Sequence, residues 1–200
     1  MKGKIFILVL STISFNFANA QFAENHAVYT TGEMNFGNYF GGDLNLNYVY
    51  KEKYAFKLGC TLNLRKPGSQ PDDFSTGVTG ILIFGLNSPA DQFLNFGAGL
   101  GRVYKINQNG TIRIVPFLGV GYTIYTEPDN WVKTDNSFVH LTENYSYDYV
   151  DHKAVSLIVN PKLEFPVTRF WGLTVSPMLQ INKAATYFGV GLGSMIGLLR

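Results

Sequence analysis

The alternation of apolar with small or polar side chains constrains the fold of this chain more than any other feature of its sequence. From Tyr54 to Leu64 an apolar residue occupies every second position, and Ala, Lys, Gly, Thr and Asn fill the positions between them. Successive side chains of a β-strand point to opposite faces, so this segment has one oily face and one small or polar face. A helix would spread the same residues around its whole axis. The segment is therefore predicted to be a strand.

The same two-residue period recurs along most of the chain. It is clear in residues 44–50, 112–124, 154–165, 171–181 and 188–198, and weaker in Val78–Leu86 and Leu94–Tyr104. Short connections that carry charged residues, Pro or Gly separate these segments. Because consecutive strands with short connections pair antiparallel, the sequence predicts an all-β antiparallel meander.

Three features favour a membrane barrel over a soluble β-sandwich. The polar faces hold mostly Gly, Asn, Thr and Ser, and only 15% of all residues are charged, against a usual ~25%. The segments are long enough to cross a bilayer at a tilt. Aromatic residues gather near predicted strand ends, as in the girdles at membrane interfaces; they are Tyr48, Tyr50, Tyr54, Phe56, Tyr122, Tyr125, Phe165, Phe170 and Trp171. The expected fold is a closed antiparallel transmembrane β-barrel.

The pattern of alternating strands resembles that of the small outer-membrane β-barrels of Gram-negative bacteria and is similar to the membrane domain of outer membrane protein A. The resemblance covers nearly the whole chain after residue 20 and includes no diagnostic motif. It implies a location in the cell outer membrane of a Gram-negative bacterium, with outer-membrane lipid and the barrel assembly machinery as partners. It implies no functional residues.

Residues 1–20 have the pattern of a cleaved secretory signal peptide. Lys2 and Lys4 precede an apolar stretch of about 13 residues, which is too short for a membrane span, and Ala18-Asn19-Ala20 fits a cleavage site. Residues 21–200 are then a single barrel domain. Without the two leader lysines, basic and acidic residues balance, so no basic surface for nucleic acid is expected.

Nine strand-like segments are counted, whereas bacterial single-chain barrels close with an even number. Eight strands are preferred, with Val28–Phe36 as a lead-in or a continuation into Leu44–Tyr50. The eight-strand arrangement makes Glu127–Asp151 the longest extracellular loop. Ten strands are the alternative, if Glu127–Asp151 contains another strand.

Three prolines, Pro116, Pro161 and Pro177, lie on the apolar faces inside predicted strands. Proline cannot donate a ladder hydrogen bond, and a closed barrel has no edge to tolerate the loss. A bulge is expected at each of them.

Charged residues with the parity of the inward face form a candidate lumen network: Asp43, Lys57, Arg113, Lys162 and Glu164. An eight-stranded barrel is just wide enough for side chains to fill. Because buried charges need partners, these residues are expected to plug the lumen as ion pairs. An ion path through the barrel is the alternative.

The segment Glu127–Asp151 holds the candidate extracellular contacts Trp131, Phe138, Tyr145, Tyr147 and Tyr149. Exposed Tyr and Trp on loops are typical contact residues. The favoured alternative is that these rings continue the strands above the membrane or belong to the outer girdle.

No recognisable catalytic or metal-binding constellation is found. His152 and Ser156 are four strand residues apart, or ~13 Å, which is too far for direct contact. His140, Glu143, Asp148 and Asp151 match no ligand spacing. No cofactor and no enzymatic activity are therefore expected.

The sequence thus predicts a monomeric outer-membrane barrel with a filled lumen and a structural or surface-loop recognition role. A narrow porin-like passage for small solutes is the first alternative, and a membrane enzyme that acts on outer-leaflet lipid is the second.

Overall fold

The computed structural model describes residues 26–77, 88–134 and 143–199 of the chain. The predicted signal peptide, the weak segment Val78–Leu86 and the candidates Phe138 and His140 lie outside these residues. Within the described ranges, no helix is long and apolar enough to cross a membrane.

The described residues form nine strands of one antiparallel sheet. They are β1 (His26–Gly37), β2 (Phe40–Tyr50), β3 (Tyr54–Arg65), β4 (Asp91–Arg102), β5 (Tyr104–Lys105), β6 (Arg113–Lys133), β7 (Tyr145–Pro166), β8 (Trp171–Ile181) and β9 (Thr186–Leu198). Both β4 and β5 pair with β6, so β5 is a two-residue continuation of β4 beyond Val103. Since β1 also pairs with β9, the sheet closes on itself. The predicted eight-stranded antiparallel barrel is confirmed.

The number of strands was predicted correctly, but two of the segment assignments behind it are wrong. Val28–Phe36 is neither a lead-in nor part of the next strand, because β1 pairs over its whole length with β2 and with β9. The predicted extracellular loop Glu127–Asp151 also proves to be largely strand. Its two ends extend β6 and β7, which pair up to Lys133↔Tyr145, and they add no further wall strand.

The barrel is apolar outside and polar inside. Large apolar side chains stand exposed around the wall, among them Leu44 (64%), Leu118 (60%) and Val155 (74%). The residues between them point inward, and many of these buried residues are polar. A continuous exposed apolar surface of this kind needs hydrocarbon around it, so the barrel wall is a membrane-facing surface.

Inward glycines make room for this polar interior. A Cβ atom added to Gly97 would lie 2.6 Å from Cδ1 of Ile158, and one added to Gly121 would overlap the side-chain amide of Asn95. The period-two glycines thus allow larger side chains from other strands to cross a narrow lumen.

The barrel has two distinct ends. The terminal end carries the start of β1, the end of β9 and the connections 51–53, 106–112 and 167–170. The far end carries the tight connections 38–39 and 182–185, the long connection 66–90 and the β6–β7 hairpin. The pairing of β6 with β4 ends at Thr126 of β6, and the pairing of β7 with β8 ends at Leu157 of β7. The hairpin therefore projects by about 20 Å beyond the sheet at ~3.3 Å per residue.

Candidate functional site

All five residues of the predicted lumen network point inward and are buried: Asp43, Lys57, Arg113, Lys162 and Glu164. They do not form a single chain of charges along the barrel. The structure brings them together with a sixth charged residue, Glu33, to form two separate ion pairs and two charges that contact neutral amides.

The first ion pair joins Lys162 to Glu33. Nζ of Lys162 lies 2.7 Å from Oε1 of Glu33, and both side chains are almost fully buried. Thr174 donates to the same oxygen at 2.8 Å, and Lys162 also donates to Oγ1 of Thr31 at 3.1 Å. Sequence reasoning missed Glu33 because its segment was treated as a lead-in. Its inward parity with Thr31 and Asn35 was the available signal.

The second ion pair joins Arg113 to Glu164 near the terminal end. Nε of Arg113 lies 2.6 Å from Oε2 of Glu164. The hydroxyl of Tyr29 donates to the other carboxylate oxygen at 2.6 Å, and Arg113 donates to the carbonyl oxygen of Leu199 at 3.2 Å. Both oxygens of this carboxylate therefore have partners, as a buried charge requires.

The remaining two charges contact amides. Nδ2 of Asn45 donates to Asp43 at 2.7 Å, while Nζ of Lys57 donates to Oδ1 of Asn160 at 2.6 Å. Lys57 also lies 5.1 Å from the ring centroid of Phe117. These six network residues are three cations and three carboxylates, so their charges balance.

Asn160 links this network to a gap in the hydrogen-bond ladder between β7 and β8. Pro116 faces Pro161 across the β6–β7 ladder, and Pro161 faces Pro177 in the β7–β8 register, so the three prolines form one outward row. The expected bulges are absent: the one register shift between β6 and β7 lies at Asp129/Val132, and the β7–β8 register is the same on both sides of the gap.

What the prolines remove is hydrogen bonding between β7 and β8. Pairing stops after Val159↔Leu179 and resumes at Leu163↔Val175. Two facing prolines remove both N–H donors of one pair, and this loss also removes the neighbouring pairs from the ladder. Nδ2 of Asn160 donates to the carbonyl oxygen of Pro177 at 2.9 Å. A side-chain amide, held from its other end by Lys57, thus supplies the donor that Pro161 lacks.

Clusters of buried apolar side chains lie in the lumen at both ends. At the far end, the cluster consists of Tyr39, Phe93, Tyr125, Met178 and Tyr187. At the terminal end, it consists of Ala27, Tyr29, Val49, Ala55, Val103, Val115, Phe117, Met195 and Leu199. Tyr125 therefore points inward and belongs to the far-end cluster. Its place near a strand end had suggested a position in an aromatic girdle, and that expectation is wrong. An internal cavity beside Lys57 measures about 20 Å³, which is room for one water molecule.

The projecting hairpin and the β3–β4 connection together form a cluster of aromatic rings, which we call the aromatic platform: Phe74, Trp131, Tyr145, Tyr147 and Tyr149. The ring centroids of Trp131 and Tyr147 are 4.8 Å apart, and those of Phe74 and Trp131 are 5.4 Å apart. The four described candidates of the predicted loop thus lie on paired strands. Phe74 was not predicted, because it comes from the β3–β4 connection, which is distant in sequence.

The β3–β4 connection braces the platform through polar contacts. Trp131 donates through Nε1 to Oγ of Ser69 at 3.1 Å, and Ser69 donates to the carbonyl oxygen of Pro128 at 2.7 Å. Asp73 accepts from Lys133 and from the hydroxyl of Tyr145, each at 2.6 Å. These two hydrogen bonds lower the pKa of Asp73. Burial, followed by the charge of Glu143, raises the pKa of Tyr147 to about 12, so its ring stays neutral at physiological pH.

The candidate catalytic residues do not assemble. Ser156 bonds to Thr123 and Asn182, whereas His152 lies 3.0 Å from Glu127 and stacks on Tyr125. His26 bonds to the hydroxyl of Tyr48 at 2.7 Å. Among the residues with described positions, no group of three or more His, Cys, Asp or Glu side chains is arranged to hold a metal ion.

Comparison with known proteins identifies the fold. No family model and no curated protein sequence matches the chain. Among solved structures, it is similar to a major outer membrane protein of Thermus thermophilus, with a TM-score of 0.56 and 12% identity over 86% of this chain and 98% of that one. It is also similar to Ail, the attachment invasion locus protein of Yersinia pestis, with a TM-score of 0.52, 12% identity and the same coverage. The chain has the fold of the small outer-membrane β-barrels.

Proposed function

We propose that this protein is a monomeric β-barrel of a Gram-negative outer membrane, exported by its cleaved leader, whose aromatic platform recognises a partner at the cell surface. The observation that carries the proposal is the combination of a barrel interior occupied by buried side chains with a braced, projecting hairpin. The barrel then serves as a rigid support, and the far end performs the function.

The sidedness follows from the connections. Outer-membrane barrels have short periplasmic turns and longer extracellular loops. The two long connections of this barrel, 66–90 and the β6–β7 hairpin, both lie at the far end. The platform then faces the cell exterior, on the side where a partner is available.

The chemistry of the platform supports recognition of a protein surface. Trp and Tyr are enriched at protein interfaces because they supply large rigid contact areas with a polar group at one edge. Trp131, Tyr145 and Tyr147 are partly exposed, and Tyr149 is exposed. Ail, the attachment invasion locus protein of Yersinia pestis, shares the fold of this chain, and this likeness supports a recognition role.

The lumen argues against a porin-like passage. The side chains of Lys162 and Glu164 have no exposure, and an apolar cluster lies at each end. Planar-bilayer recordings of the purified barrel should therefore show no discrete openings. Discrete openings in the wild-type protein would refute the closed-lumen part of the proposal.

The recognition role is tested with bacterial cells that display the protein, using an array of purified extracellular proteins and glycans as the probe. Replacing Trp131 and Tyr147 by Ala should reduce binding to the recognised array member by at least about tenfold, because central aromatic residues dominate interface energies. Val132→Ala is the matched control on the same hairpin and should bind as wild type. If no array member separates the wild type from the double variant, the recognition role is wrong.

A further inference from the structure

The two ends of the barrel differ in charge. Among the described residues of the terminal end, five exposed side chains are basic, namely Lys51, Lys53, Arg102, Lys105 and Arg169, and we call them the basic rim; Glu52 is the one exposed acidic residue there. At the far end, the described residues include eight acidic side chains and five basic ones. The basic rim therefore carries a net positive charge next to the membrane-facing wall.

Three of the rim cations lie against exposed aromatic rings. Nζ of Lys51 is 5.2 Å from the ring centroid of Tyr50, Cζ of Arg102 is 5.5 Å from that of Tyr104, and Cζ of Arg169 is 5.7 Å from that of Phe170. The three rings are exposed. Aromatic rings near strand ends mark the level of the lipid headgroups in membrane barrels. The cations thus lie at the boundary between hydrocarbon and water.

Only one rim cation has a carboxylate partner among the described residues. Lys105 forms an ion pair with Glu52 at 2.6 Å. The charges of Lys51, Lys53, Arg102 and Arg169 are therefore available to an external anion. Lys51, Lys53 and Arg102 lie close together, because Arg102 on β4 pairs with Tyr54 just after the β2–β3 turn, whereas Arg169 at the β7–β8 turn lies on the opposite side of the barrel.

The β2–β3 turn keeps charged residues at strained positions. Lys51 and Glu52 have φ angles of 50° and 53°, in the left-handed region where Asn and Gly are preferred. A non-glycine residue in this region is strained, because its Cβ atom comes too close to the following carbonyl oxygen. A strained position occupied by a charged residue is compatible with a functional use of that charge.

We propose that the basic rim binds the phosphate groups of anionic phospholipids in the bilayer leaflet that surrounds the terminal end. This inference rests on the proposed membrane location and adds a lipid preference to it. Cations near a membrane surface attract anionic headgroups within a Debye length. The apolar wall beside the rim accepts the acyl chains of the same lipids, which favours a lipid over a free phosphate ion.

The test compares lipid association in phosphatidylcholine vesicles that contain spin-labelled phosphatidylcholine or spin-labelled phosphatidylglycerol. The measured quantity is the fraction of each label immobilised at the barrel surface. Wild type should favour phosphatidylglycerol by roughly threefold in low salt, and the preference should fall in high salt because the attraction is screened.

The rim variant carries Lys51→Gln, Arg102→Gln and Arg169→Gln and should lose this preference. Its matched control removes three far-end charges by Lys66→Gln, Lys153→Gln and Lys183→Gln and should keep it. The inference would be overturned if the rim variant preferred phosphatidylglycerol as strongly as the wild type does. It would also be overturned if inorganic phosphate abolished this preference at constant ionic strength. Failure of the wild type to insert into phosphatidylcholine alone would instead refute the membrane location.

Discussion

Two lysine–carboxylate pairs in this protein have nearly the same geometry and opposite surroundings. Lys162 and Glu33 are 2.7 Å apart inside the lumen, with side-chain exposures of 0% and 1%. Lys133 of the projecting hairpin and Asp73 of the β3–β4 connection are 2.6 Å apart, with exposures of 43% and 55%. Breaking a buried pair leaves an unpartnered charge without water, whereas an exposed charge is simply hydrated. The distance alone therefore does not determine what either pair contributes.

The difference separates two kinds of region. In the lumen, the members of the ion pairs have further partners, as Thr174 and Thr31 show for the Lys162–Glu33 pair. Such a region is rigid and costly to alter. On the hairpin, the ion pair helps to hold a surface whose rings remain partly exposed, and its charges tolerate replacement. This contrast predicts a graded series of mutational effects.

The largest effect is expected from Lys162→Met, which leaves Glu33 buried and without its cation. The free energy of unfolding should fall by about 3–5 kcal/mol. Urea titration of the barrel in lipid vesicles, followed by tryptophan fluorescence, measures this change.

The double variant Lys162→Met with Glu33→Gln is the control for the buried pair. It should recover most of the lost stability, because neither buried charge then lacks a partner. A single variant that unfolds like the wild type would mean that water reaches this pair and that the lumen is not closed.

A smaller effect is expected at the seam between β7 and β8. In a Lys57→Met background, Asn160→Leu removes the donor to the carbonyl oxygen of Pro177 and should cost about 1–3 kcal/mol. Amide hydrogen exchange should become faster in β7 and β8 near the gap and stay unchanged between β1 and β2.

Adding Pro161→Val to that variant tests the reason for the loss. Valine restores the backbone N–H that Pro161 lacks, so stability and slow exchange should return. If Asn160→Leu costs nothing, or if its cost is not reduced by Pro161→Val, Asn160 does not replace the missing ladder bond.

The smallest effect is expected from Asp73→Asn, which should leave the urea midpoint unchanged because the pair is exposed. The pKa of Asp73 is lowered in the folded protein by Lys133 and Tyr145. Its contacts are therefore complete above the ordinary pKa of aspartate and are lost as the pH falls through the lowered value. In a Trp171→Phe background, Trp131 fluorescence should change only in that acidic range, and Asp73→Asn should remove the change. An acid transition that persists in Asp73→Asn would assign it to another group.

The sequence allowed the facing of most strand residues to be predicted, since alternation is a local property of each strand. The inward position of Lys57 and the outward position of Leu58 follow from parity alone. What the sequence could not show is register between strands. Pro161 faces Pro177 only because of how β7 and β8 align. The hydrogen bond from Asn160 to the carbonyl oxygen of Pro177 depends on the same alignment. Phe74 was missed for a related reason, because its contact with Trp131 joins segments far apart in the chain.

The pairing of β1 with β9 has a consequence for how the protein is made. Thr30 and Ile196, which bond across this seam, are separated by 166 positions. The ring cannot close until almost the entire polypeptide has been delivered, and such non-local pairing is slow. During that interval the strands would expose their oily faces to water and risk aggregation. In a chain of this topology, the last strand to be delivered therefore sets the moment at which the oily faces can be turned outward on a closed wall.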